Sequence, residues 1–211
     1  MSNHRGYVYL LASMYLAGLI GLSIESTRPL FQALTPFHLL TSFGILVLFQ
    51  KDKSPAFVIF LFICVFTGYF IEVAGVKTGL IFGRYEYLTT LGLKILEVPP
   101  MIGINWFLLV FCVGTVLEKW PQHVWIKTTV GSLALTLFDF VAEPVAISQS
   151  MWTWFGTAPP LQNYIAWFFV AFFLLYLFFR SGFRKENPVA PWLLVFQAVF
   201  FGVLSMAMRL S

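Results

Sequence analysis

Seven apolar runs divide this chain: roughly Gly6–Ser23, Phe31–Phe49, Pro55–Gly75, Pro99–Leu117, Val124–Glu143, Gln162–Phe179 and Val189–Met208. A membrane-spanning helix needs ~20 mostly apolar residues, and each run is close to that length. The pattern predicts an all-α integral membrane protein, a bundle of about seven transmembrane helices. Most connectors are short. The exception follows the third run, GVKTGLIFGRYEYLTTLGLKILEVPP, and is expected to be one long folded loop between helices 3 and 4. The connector after the fifth run reads PVAISQSMWTWFGTAPPLQN and falls on the same membrane face. The second run is the weakest, because Pro36 and His38 interrupt it early. No internal repeat, low-complexity tract or linker is visible, so residues 1–211 read as a single polytopic domain.

Composition supports the same class. The chain is 59% hydrophobic and 10% charged, whereas a soluble domain carries roughly 25% charged residues. The net charge of +4 comes from basic residues scattered singly or in pairs, not from the dense patch that nucleic acid requires. Cys64 and Cys112 sit inside apolar runs without metal or redox spacing. His4 and Arg5 are the basic residues ahead of the first long run, which reads as a retained helix. Lys and Arg number eight on the face holding the N-terminus and five on the other, Arg209 among the five. That bias predicts a multi-pass protein of the cell (inner) membrane with a cytoplasmic N-terminus.

The stretch GSLALTLFDFVAEP, Gly131 to Pro144, carries the first candidate chemistry. It places Asp139 and Glu143 four residues apart, on one helical face, before a proline expected to stop the helix. An ionised acid at mid-membrane costs ~3 kcal/mol or more, and a carboxylate near a helix C-terminus opposes the macrodipole. A proton shared by such a pair supplies an acid near neutral pH. The bland alternative is a hydrated helix end, with the acids paired to Lys77 or Arg84. Glu72, near the end of the third run, is expected at a similar depth on the same face, bringing three carboxyls together.

The connector Lys77–Tyr87 has glycines at 79 and 83, with Gly75 just before it, then Arg84, Tyr85, Glu86 and Tyr87. This spacing suits either helix packing or turns that allow close backbone approach; a folded lid over the carboxylates is expected. Trp152 and Trp154 belong either to an interfacial aromatic belt or to the site. Asn163, opening the sixth run, either caps a helix or orients a water. Asn105 chooses between an interhelical hydrogen bond and the site. His38 reads as structural.

Taken together, EVAGVKTGLIFGRYEY (Glu72–Tyr87) with LGLKILEVPPMIGINW (Leu91–Trp106) resembles the signature of CruF-type carotenoid hydratases. FDFVAEPVAISQSMWTW followed by PLQNYIAWF resembles the later signature of the same family. The resemblance spans about Gly68 to Trp167. Glu143 departs from it, standing where many relatives carry Asp; the carboxyl is kept and its reach lengthened. The resemblance implies addition of water across the terminal C1–C2 double bond of an acyclic carotenoid end, giving a 1-hydroxy group. Protonation at C2 leaves a tertiary cation that water traps, without cofactor or metal. Glu72, Asp139 and Glu143 are then the catalytic candidates. Lys77, Arg84, Tyr85, Tyr87, Asn105, Trp152, Trp154 and Asn163 are the substrate-binding ones. The implied partners are a lipophilic carotenoid, water and membrane lipid, with a second copy of the chain or enzymes of the same pathway left open.

Three other functions compete. A lycopene-cyclase-like enzyme makes the same cation but captures it with an internal double bond. A retinal protein needs a lysine in the last helix, and Val189–Met208 has none. A proton-coupled carrier needs polar residues through both halves of the bundle, whereas the half nearer the N-terminus is almost bare.

Overall fold

A computed structural model describes residues 4–210. The side chains at 209 and 210 fall outside the described residues, and with them Arg209 of the charge count. The elements are α1 (His4–Ser23), α2 (Arg28–Phe49), α3 (Pro55–Thr78), β1 (Tyr85–Tyr87), α4 (Met101–Glu118), α5 (Val124–Ser148), β2 (Trp152–Trp154), α6 (Leu161–Arg180) and α7 (Ala190–Leu210). All seven helices are long and apolar enough to cross a membrane, and the chain forms a seven-helix membrane bundle.

α4 is the central column. Every residue from Trp106 to Thr115 is buried, and the helix packs against α2, α3, α5, α6 and α7. A helix apolar all round has no face for water or for one neighbour alone, so it takes the interior position. The surrounding helices turn a stripe toward it and leave residues such as Phe62, Phe66 and Leu137 to the lipid. On the half nearer the N-terminus, Phe57, Phe60, Phe107, Phe111, Phe178 and Phe183 fill the core. Their contacts are largely edge-to-face, as at Phe60–Phe178, 5.4 Å between centroids and 72° between planes, the arrangement favoured by ring quadrupoles.

Two expectations about proline are corrected. Pro144 does not stop the fifth helix, which continues through it to Ser148. Nor does Pro36 break α2. Each proline removes one backbone N–H from the ladder, but ending a helix inside lipid strips several backbone groups of partners, and the smaller loss prevails. Asp139 and Glu143 therefore lie within a helix, not at its terminus, and the macrodipole no longer opposes them there. α3 in turn runs past Gly75 and stops at Gly79, whose φ of 66° forms a left-handed cap. Lys77 is thus helical.

The connectors on the N-terminal face are clasped together. Asp52 accepts from the Arg184 backbone N–H at 2.7 Å and from that of Ser54 at 2.9 Å, while Asn187 Nδ2 donates to the Leu46 carbonyl at 2.8 Å. The Arg184 and Ser54 amides hold the Asp52 carboxyl below its ordinary value. A depressed carboxylate contributes stability above the ordinary Asp range and loses it as pH falls through the lower folded value. The expected result is that Asp52→Asn flattens the acid limb of the thermal-unfolding profile below about pH 4, measured in nanodiscs against the parent.

On the opposite face, β1 and β2 pair antiparallel, with Tyr85 opposite Trp154, Glu86 opposite Thr153 and Tyr87 opposite Trp152. The Leu88 N–H to Met151 carbonyl bond, 2.9 Å, and the Phe155 N–H to Arg84 carbonyl bond, 3.1 Å, prolong the ribbon. It ties the long connector to the one following α5. Side chains alternate across a strand, so Tyr85 and Tyr87 point inward together while Glu86 faces out.

Candidate functional site

The three carboxyls meet beneath this ribbon, and the α3–α5 convergence expected from sequence is observed. Glu72, Asp139 and Glu143 are 4%, 2% and 4% exposed, and all three line one small pocket together with Asn105 and Asn163.

Each acid has its own set of donors. Glu72 Oε2 accepts from the Tyr85 hydroxyl and from the Tyr87 hydroxyl at 2.8 Å, and Oε1 accepts from Trp106 Nε1 at 3.1 Å. Glu143 Oε2 accepts from two indoles, Trp152 Nε1 and Trp154 Nε1, each at 3.1 Å. Asp139 Oδ2 accepts from Asn163 Nδ2 at 2.8 Å. The ribbon register explains the sorting: its tyrosine strand serves the acid on α3 and its tryptophan strand the acid on α5. Indole and amide N–H groups only donate, and the unprotonated oxygen of a carboxyl is the better acceptor for them. A proton on Asp139 or Glu143 is therefore favoured on the other oxygen, Oδ1 or Oε1.

The tyrosines are fixed as donors. Burial, reinforced by the neighbouring Glu72 charge, pushes the Tyr85 and Tyr87 phenols far above their ordinary value. Replacing either with Phe removes one bond to a carboxylate, and such bonds contribute about 1.5–3 kcal/mol. The expected result for Tyr87→Phe is a stability loss of that order, measured by thermal unfolding.

Among the described residues no cation answers the acids. The ion pairs there are Lys51–Glu186, Arg184–Glu186 and Lys127–Glu118, all on the N-terminal face. Lys77 and Arg84 are exposed and line neither cavity described below; the geometry takes both out of the site and removes the salt-bridged reading of the acids. Arg84 instead lays its stem across Gly79, where an added Cβ would lie 2.9 Å from Arg84 Cγ.

Two spaces adjoin Asp139. The polar pocket has a volume of about 30 Å³, enough for a water molecule. The other is an apolar cavity of about 340 Å³ walled by α1, α2, α4, α5 and α7. Ile102, Asn105, Asp139, Trp152 and Trp167 line both spaces; Glu72, Glu143, Tyr85, Tyr87, Trp154 and Asn163 line only the small one. Leu34 and Phe37 of α2, 44% and 64% exposed, also border the large cavity, which therefore opens toward the bilayer side of the bundle.

Trp106 and Trp167 belong to the site but were not singled out by sequence. Their rings stack at 4.2 Å between centroids and 25° between planes. Trp167 lies one helical turn after Asn163, on the same face, which was the available signal. Trp106 follows Asn105 directly, and periodicity gave no reason to place both at one site. His38 borders the large cavity beside the Tyr15 ring, 4.3 Å between centroids.

A family model described as carotenoid biosynthesis protein matches residues 36–211. The chain belongs to this family. No curated protein and no solved structure matches it. The carotenoid biosynthesis match takes in all three carboxyls, the ribbon and both tryptophans of the stack, whereas α1, which brings Tyr15 to the cavity, precedes the matched span. Family membership assigns the chain a role in carotenoid biosynthesis, and the seven spans make it a multi-pass membrane protein.

Proposed function

We propose that this protein is a cofactor-independent carotenoid 1,2-hydratase of CruF type, acting on the terminal double bond of an acyclic end group. The observation that carries the reading is Asp139, an acid bordering both a water-sized polar pocket and an apolar cavity of about 340 Å³. Three carboxylates buried without a cation would cost several kcal/mol each, so the cluster keeps a proton. Asp139 Oδ1 delivers it to C2 of the alkene lying in the cavity. The π pair forms the new C–H bond and C1 becomes a tertiary cation. The Trp152 and Trp167 rings, which line the same cavity, stabilise that cation.

Water in the small pocket adds its oxygen to C1, and its surplus proton passes to Glu143 or Glu72 and back to Asp139. The sum is alkene plus water to alcohol, with no change in electron count. Asn105, bordering both spaces, orients the water. The Tyr85, Tyr87, Trp154 and Asn163 side chains act through the carboxylates they hold, and so are positioning residues.

Ring closure starts from the same cation. A polar, water-sized pocket beside the acid favours capture by water. A proton relay across the membrane has less support: the half of the bundle nearer the N-terminus is packed with phenylalanine, and the hydroxyls of Thr128, Ser132 and Thr136 on α5 are spent on the carbonyls one turn back. The same reading takes the chain as one polytopic domain of the inner membrane with its N-terminus in the cytoplasm. The test is expression in a lycopene-accumulating host with mass analysis of the pigments. Products heavier by one water are expected; an isomeric product points to cyclisation, and unchanged pigment removes the activity on this substrate.

A further inference from the structure

Between the ribbon and α4 the long connector descends along the side of the bundle. Leu91 lines the large cavity. Gly92, at φ 87°, packs on α2, where an added Cβ would lie 3.2 Å from Pro36 Cγ. Three residues later the Ile95 carbonyl accepts from the Tyr69 hydroxyl of α3 at 2.5 Å. On the N-terminal face α2 ends at Phe49 and α3 begins at Pro55. At about 1.5 Å per residue, Pro36 and Tyr69 each stand about 20 Å from those ends. A hydrocarbon core ~30 Å thick, measured from the same face, extends about 10 Å beyond both anchors. The segment held between them is apolar and uncovered: Leu93, Ile95 and Leu96 are 90%, 59% and 50% exposed.

We propose that Gly92–Val98 is a re-entrant segment seated at the headgroup–acyl boundary of the bilayer, with lipid acyl chains as the partner of Leu93, Ile95 and Leu96. The turn chemistry points the same way. Ile95 and Val98 exchange two backbone bonds, 3.0 and 3.1 Å, and the central residues Leu96 and Glu97 hold φ of 52° and 71°. Positive φ at both central positions is ordinarily given to Gly, Asn or Asp. In water this tip strains its backbone and wets a leucine as well; against acyl chains the leucine is the fitting residue. The charges limit the depth. Lys94 and Glu97 are exposed, with Lys94 Nζ donating to the Tyr87 carbonyl of the ribbon, and irregular backbone is not tolerated in lipid away from polar partners. Both features demand a seat within reach of headgroups, ~5–10 Å deep, which is the depth the two anchors give. Phe37, next to the Gly92–Pro36 contact, borders the large cavity, so the lipid-seated segment flanks the mouth of that cavity. The inference is independent of the reaction assigned to Asp139.

Depth is read by attaching a nitroxide to Leu93→Cys, and separately to Leu96→Cys, in nanodiscs; the native Cys64 and Cys112 are buried. Collision with oxygen, which concentrates in lipid, is compared with collision with a water-soluble nickel chelate. Phe66→Cys on the lipid face of α3 and Glu86→Cys on the outer side of the ribbon are the references. The oxygen-to-nickel ratio at both segment positions is expected to stand about fivefold above that of Glu86→Cys and below that of Phe66→Cys. A ratio within about twofold of the Glu86→Cys value puts the segment in water and overturns the proposal. Loss of collision with both reagents, as when a second copy of the chain covers the segment, overturns it too. Should the label at position 96 disturb the turn, Leu93→Cys, at a side chain already 90% exposed, decides alone.

Discussion

Asp139→Asn is expected to leave the protein folded and to cut pigment conversion by about 10²–10⁴-fold, the range a positioned general acid contributes. The substitution keeps size and shape, and the new amide oxygen can still accept from Asn163 Nδ2, which now holds Asp139 Oδ2 at 2.8 Å. What disappears is the exchangeable proton beside the apolar cavity. Glu143→Gln makes the contrast: its amide oxygen still accepts from both indoles, and the residue lines only the small pocket, so its loss should fall on water activation. Pigment mass analysis of both variants, with thermal unfolding as the folding control, checks the assignment. Near-normal turnover by the Asp139→Asn protein would falsify the role given to Asp139.

How much of this was legible beforehand follows from the range of the interactions. The spans were readable because length and apolarity are local properties, and the meeting of Glu72 with Asp139 followed from the depth each acid reaches on its own helix. Helix ends were less readable. The third run looked complete at Gly75, yet the helix ends only where Gly79 adopts φ +66°. Pro36 and Pro144 looked like breaks because propensity reflects an aqueous backbone, which can exchange a lost bond for water.

The ribbon was opaque for a different reason. Its strands are about 70 residues apart in sequence, with no local turn to set the register. The lid over the acids was legible, but not that alternate residues of two short strands would divide the carboxyls between tyrosines and tryptophans. Lys77 and Arg84 misled because long cationic side chains beside glycine turns reach water readily. Trp106 and Trp167 are opposite cases, aromatic residues that look like ordinary core until their partners are known.

The site also depends on how closely α3 and α4 approach, and this yields the largest expected effect on stability. A Cβ at Gly103 would lie 2.4 Å from the Val65 carbonyl oxygen, and one at Gly68 would lie 2.5 Å from Trp106 Cβ. Small residues at a membrane helix interface permit this contact. Because the Gly103 obstacle is backbone, no rotamer change relieves it; the helices must separate. Gly103→Ala is expected to cost about 3 kcal/mol, the upper part of the overpacking range, and to lower Tm by roughly 5–10 °C. Separation also draws Trp106 Nε1 from Glu72 Oε1, now 3.1 Å apart, so activity should fall with stability. Gly202→Ala is the control. A methyl group added at Gly202 on α7 would meet nothing within 4 Å, and replacing a helical glycine there should stabilise by about 0.5–1 kcal/mol. Melting of the two variants in the same nanodiscs separates the outcomes, and a Gly103→Ala protein as stable as Gly202→Ala would show that the α3–α4 contact is not as tight as these distances require.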